Sequence, residues 1–234
     1  MAALLAATAV ALGVVAQTAT GFGFSLVSAP FLVAAYRAPA GVQLTVVLSV
    51  VVNLSVLARE HRGVDFRAVW LMFVPAVAAA VPVAYALRRS SPGPATVVAG
   101  VICLAGVVAL ARGREFQGVT GRAGTLAVGA LSGGMNATAG MSGPPVVLFA
   151  FNARWPLAMA RPTMQLFFLG LNVVTIASLG WPERFPLAVL VGFLAGVVIG
   201  TQVAGRLPAA VVRPATLALA GLGSVLAVAR GLTA

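Results

Sequence analysis

The chain has 234 residues, is 61% hydrophobic and only 8% charged, and has a mean hydropathy of +1.06, whereas a soluble domain carries roughly 25% charged residues. That balance excludes a large soluble domain and specifies an all-α, polytopic integral membrane protein. The net charge of +11 comes from 15 basic residues, all of them Arg and scattered between apolar runs, so it reads as a topology signal and no nucleic-acid partner is expected.

The N-terminus, Met1 to Ala16, is apolar without a basic start. It is expected to be a retained first membrane segment, because a cleaved signal peptide needs that basic region. About eight apolar runs follow one another, near residues 2–36, 39–58, 68–87, 94–111, 123–151, 157–180, 186–205 and 214–231. Most are long enough for the roughly 20 residues that span a bilayer. Pro75 and Pro82 fall inside the third run and are expected to kink it. Cys103 lies alone in the fourth, which supports no disulfide framework and no metal site.

The first and fifth runs are longer than the rest, and each is interrupted. The first break reads Gln17-Thr18-Ala19-Thr20-Gly21-Phe22-Gly23-Phe24-Ser25 and ends at Pro30. The second, residues 132–145, reads Ser-Gly-Gly-Met-Asn-Ala-Thr-Ala-Gly-Met-Ser-Gly-Pro-Pro. Gly and Pro break helices. Within lipid the freed backbone groups must be satisfied by protein or by a water-filled cavity. Paired breaks in corresponding places of two half-chains point to a transport site.

The order long-broken, plain, plain, plain occurs twice, an internal repeat of about 115 residues. The chain thus reads as one transmembrane domain, 1–234, made of an N-terminal repeat, 1–111, and a C-terminal repeat, 123–234. Pairing Pro30 with Pro145 sets Ser28 against Gly143 and Ser25 against Gly140. Asn53 and Asn172 both fall in the helix after a break.

Arg counts test the topology. If every run crosses once, the split between faces is 8 against 7, which breaks the expected bias. If each broken run folds back as a hairpin of two short helices, Arg59, Arg62, Arg67, Arg112, Arg114, Arg122, Arg154, Arg161, Arg206 and Arg213 share one face. The split is then 10 against 5. That arrangement has ten helical pieces, five per half, and the odd number inverts the second half relative to the first. It places the N-terminus outside.

Several residues could carry chemistry. In the second break, Asn136, Thr138 and Ser142 offer side-chain donors, Gly133, Gly134, Gly140 and Gly143 expose backbone N–H groups, and Pro144 and Pro145 suit the first turn of a new half-helix. The first break offers Gln17, Thr18, Thr20, Ser25 and Ser28, with Gly21, Phe22 and Gly23. A half-helix that begins at a break points its positive end at it, an anion site in kind. The competing role of the small residues is close helix packing. Arg161, four residues ahead of Gln165, is either an interfacial anchor or a cation for an anionic substrate at the hairpin mouth; Arg37 holds a comparable place after the first break.

All four acidic residues, Glu60, Asp65, Glu115 and Glu183, fall in expected loops, as does His61, the single His. A coupling proton therefore has no evident intramembrane carrier, and Asp65 is expected to order its loop with Arg62 and Arg67. No cofactor is indicated.

Gly21-Phe22-Gly23-Phe24 running to Ala29-Pro30, His61-Arg62-Gly63-Val64-Asp65, Met141-Ser142-Gly143-Pro144-Pro145 and Ala160-Arg161-Pro162-Thr163 resemble the TauE/SafE sulfite exporter family, also called toluene-sulfonate uptake permeases. The resemblance covers nearly the whole chain. It implies two related halves and multi-pass residence in a bacterial inner membrane. It further implies transport of a sulfur-containing anion such as sulfite, a sulfonate or sulfoacetate. Many members carry a Gly-Gly-Gly type first break where this chain has Gly-Phe-Gly-Phe.

The leading expectation is a secondary carrier for such an anion, held between the two breaks by Gly21, Phe22, Gly23, Ser25, Ser28, Asn136, Thr138, Ser142, Gly143, Pro144, Arg161 and Gln165. It would be no enzyme, with the lipid bilayer and a second copy in a homodimer as partners. The alternatives are an anion channel or facilitator, a purely structural subunit, and a rhomboid-like intramembrane serine protease. Gly140-Met141-Ser142-Gly143 resembles the Gly-x-Ser-Gly of the last class, but no His follows His61 to activate the Ser.

Overall fold

A computed structural model describes residues 2–112, 121–203 and 209–233, without the side chains of residues 20, 203 and 209–213. Arg114, Glu115 and Arg206 lie outside the described residues, as do the side chains of Thr20 and Arg213. All ten described elements are helices: α1 (Ala2–Thr20), α2 (Phe24–Tyr36), α3 (Ala40–Glu60), α4 (Phe66–Arg89), α5 (Pro92–Arg112), α6 (Gly121–Ala139), α7 (Gly143–Asn152), α8 (Leu157–Leu179), α9 (Leu187–Val203) and α10 (Ala209–Leu232). Six of them are long and apolar enough to cross a membrane.

The first expected run is α1 plus α2, and the fifth is α6 plus α7. Both fold back on themselves. Ser28 Oγ donates to Ala9 O at 3.4 Å, and Gly13 packs against Phe24 and Ser28, so α2 runs antiparallel against α1. In the second break, Ser132 Oγ donates to Ser142 O at 3.1 Å. Ten residues of continuous helix would hold those groups about 15 Å apart. α2 and α7, with 13 and 10 residues, are too short to span a bilayer. α4, by contrast, continues through both Pro75 and Pro82.

Contacts sort the loops onto two faces. On one, Glu60 pairs with Arg161, the Asp65 N–H donates to Thr163 Oγ1 at 2.9 Å, and Gly63 lies against Ala158. A hollow there brings Arg67, Arg122, Ala153 and Trp155 together. On the other face, Arg230 donates to Ala34 O and Arg88 to Ser178 O, and a wider hollow gathers Tyr36, Pro39, Arg88, Trp181 and Arg184. This is the loop grouping of the hairpin topology, with Arg62, Arg67, Arg122 and Arg161 apart from Arg88, Arg184 and Arg230.

The helix pairs cross between the half-chains. α4 packs on α6, α1 on α9, α5 on α10 and α3 on α8. Glycine permits the closest of these approaches. Gly129 and Gly133 of α6 lie directly on the Met72 and Ala76 carbonyls of α4, one turn apart, and Gly192 and Gly196 of α9 lie on Ala7 and Ala11 of α1. Without a hydrophobic drive between helices in lipid, such small-residue seams supply the van der Waals contact that holds a bundle together. Gly133 is therefore a packing residue, whereas Gly134 faces open space.

Candidate functional site at the paired helix breaks

Both breaks are built alike. α1 and α6 each end at a glycine in the left-handed region, Gly21 (φ 82°) and Gly140 (φ 69°). Each N–H closes the helix on the carbonyl four residues back, Gly21 on Gln17 and Gly140 on Asn136, both at 2.8 Å. This is the single-bond left-handed cap, which a side chain at the glycine would strain. α2 then starts after Gly23 and α7 after Ser142. The matching glycines are 119 residues apart, as are Asn53 and Asn172 and the last residues of α3 and α8. The structure thus shifts the correspondence by four residues from the Pro30–Pro145 pairing, because the helix caps and not the prolines occupy equivalent places.

The two breaks meet. A small cavity is lined by Gln17, Phe22, Gly23, Phe24, Ser25 and Leu26 from the first, by Gly140, Ser142, Gly143 and Pro144 from the second, and by Ser49 and Asn53 of α3 and Phe168 and Asn172 of α8. It leaves about 20 Å³ for the centre of a water-sized sphere, room for a water or a small ion. None of its lining residues is acidic or basic. Both short helices start at it, so their positive ends converge there.

Two amide networks brace the cavity. Gln17 Oε1 accepts from the Phe24 N–H at 3.1 Å, which occupies one first-turn donor of α2. Gln17 Nε2 donates to Gln165 Oε1 at 3.1 Å, and Gln165 Nε2 donates to Gly21 O at 2.6 Å. On the other side, Asn136 Nδ2 donates to Asn172 Oδ1 at 3.1 Å and to Thr175 Oγ1 at 3.0 Å. Among the described residues, two buried amide atoms have no partner, Asn53 Nδ2 and Asn136 Oδ1. An unpaired buried donor costs about 1–3 kcal/mol, and Asn53, only 4% exposed, lines the cavity. Pro144 and Pro145 fit the first turn of α7 but remove two of its N–H groups, leaving α7 a poorer donor than α2.

The expected site residues divide accordingly. Phe22, Gly23, Ser25, Ser142, Gly143 and Pro144 line the cavity. Gly21, Gln165 and Asn136 support it from behind through the hydrogen bonds above. Ser28 lies in the seam between α1 and α2, and Thr138 Oγ1 bonds within its own helix to Gly134 O at 2.8 Å. Arg161 does not line the cavity; its guanidinium rests on Gly21 and its Nη2 meets Glu60 Oε1 at 3.1 Å. Sequence reasoning left Ser49, Asn53 and Asn172 out of the site, and kept Gln17 only as a donor of the break. The available signal was a polar side chain in an apolar helix, one turn of which places Ser49 beside Asn53.

The family model described as Sulfite exporter TauE/SafE matches residues 5–227 of the chain. No curated protein matches it, and no solved structure does.

Proposed function

The chain belongs to the sulfite exporter TauE/SafE family, and we propose that it is a secondary carrier that moves a small sulfur-containing anion, of the sulfite, sulfonate or sulfoacetate type, across a bacterial inner membrane. The observation that carries this reading is the cavity where both breaks converge, closed here around about one water's volume, so that it opens to admit the anion. Two helix N-termini attract negative charge. The Asn53 amide and the hydroxyls of Ser25 and Ser142 can donate to an anion there, whereas Gln17 and Ser49 already donate to Gln165 and to Thr45 O; no carboxylate lines the cavity. Asn53 Nδ2 is a donor awaiting an acceptor.

The two halves act as inverted repeats, 1–111 and 123–234, with five helices each. With breaks at equivalent places, each repeat supplies one half-helix to the anion site, the arrangement of alternating-access carriers. The face bearing Arg62, Arg67, Arg122 and Arg161 is cytoplasmic by the positive-inside rule.

Thermal-shift titration of the purified protein with sulfite, sulfate, taurine, sulfoacetate and simple carboxylates tests the substrate class. A sulfur anion raises the melting temperature by mass action; a response to carboxylates alone overturns the class. Ohmic single-channel currents in planar bilayers would replace the carrier with a channel.

A further inference from the structure

Glu60 closes α3 and Arg161 opens the second turn of α8, so their ion pair at 3.1 Å ties two helices that both line the cavity. The pair is only part-buried, with side chains 29% and 36% exposed for Arg161 and Glu60. Such pairs contribute little to stability. Arg161 is also incompletely satisfied, since its Nε is buried without a partner. That Nε lies against Gly21, whose carbonyl accepts from Gln165, and Gln165 holds Gln17 at the cavity wall. A planar guanidinium offers a fork suited to an oxyanion, and Glu60 fills only part of it.

We propose that Glu60 is a built-in competitor of the transported anion for Arg161, and that this pair is the gate of the cavity on the face of the 61–65 loop. This rests on reading the cavity as an anion site. With no anion present, the Glu60 carboxylate takes the cation and pins α3 to α8. An anion passing between the cavity and that face displaces Glu60 from Arg161, which removes the ion pair that ties the two helices at that end. The opposite end of the α3–α8 pair opens instead into a hollow of about 720 Å³ bordered by Gln43, Leu44 and Leu179, so the two ends of the pair differ.

Sulfite and sulfoacetate binding to the purified full chain, measured by calorimetry, tests the proposal with three variants. Glu60→Gln removes the competitor and binds tighter, by about 1.5- to fivefold, the range such a pair supplies. Asp65→Asn removes the same charge five residues on, where Asp65 Oδ1 accepts from the Ala68 N–H at 3.0 Å and caps α4; Asn keeps a residue able to cap, and binding is unchanged. The double swap Glu60→Arg with Arg161→Glu keeps an ion pair and the wild-type melting temperature but weakens binding. Unchanged or weaker binding in Glu60→Gln overturns the gate, as does equal tightening by Asp65→Asn or wild-type binding by the swap. If the swap fails to fold, the first two variants decide. A wild type that binds neither anion overturns the anion site, and the gate with it.

Discussion

Asn136 shows how one side chain can serve the site without lining it. Its Nδ2 is shared between Asn172 and Thr175, while its backbone carbonyl closes the cap on Gly140. Asn136→Leu keeps the volume and strands both partners in a buried place. Stability is expected to fall by about 1–3 kcal/mol in denaturant titration. Anion flux into liposomes falls as well, with membrane insertion retained; wild-type flux would remove Asn136 from the site. Gly21 is constrained twice over, by φ 82° and by the Arg161 guanidinium where a Cβ would go. Its conformation was legible as a helix-ending glycine, whereas its contact with a residue 140 positions away in sequence was not.

The helices illustrate how the same residue type takes opposite roles. Gly133 and Gly134 are neighbours in α6, and both stood as backbone donors on sequence grounds. Gly133 lies against the Ala76 backbone, and a Cβ at Gly134 would meet nothing within 4 Å. Gly133→Leu is therefore expected to push α4 from α6 and destabilise the fold by about 1–3 kcal/mol or more. Gly134→Ala should be neutral or stabilising by up to about 1 kcal/mol, through reduced backbone entropy. Thermal melting of the two variants checks both outcomes, and equal losses would refute the α4–α6 seam. Periodicity cannot rank two adjacent glycines in a helix of small residues; only the partner helix does so.

For the molecule as a whole, folding back of the broken runs determines which loops share a face. Cys103 is buried, so a membrane-impermeant maleimide should leave the native chain unlabelled. Arg62→Cys and Glu183→Cys each place one exposed thiol, on opposite faces. In right-side-out vesicles only Glu183→Cys is expected to label, and in inverted vesicles only Arg62→Cys. Labelling of both from one side would refute the hairpin topology. The crossing of half-chains, α1 on α9 and α4 on α6, makes each broken helix pack against the other half. Each break is thus held in part by the other half-chain.

Composition and hydropathy alone determined that this chain lives in a bilayer, because a chain with so few charges cannot cover a soluble surface. Clusters of Gly and Pro located both breaks, since backbone chemistry is local. The Arg distribution, a property of loops, pointed to ten helical pieces. Tertiary structure alone decided that the two breaks share one cavity and that Ser49, Asn53 and Asn172 line it. It also placed Arg161 on Glu60 rather than at the cavity wall. Those relations join residues far apart in the chain, and they are set by which helix faces interlock, something no local pattern encodes.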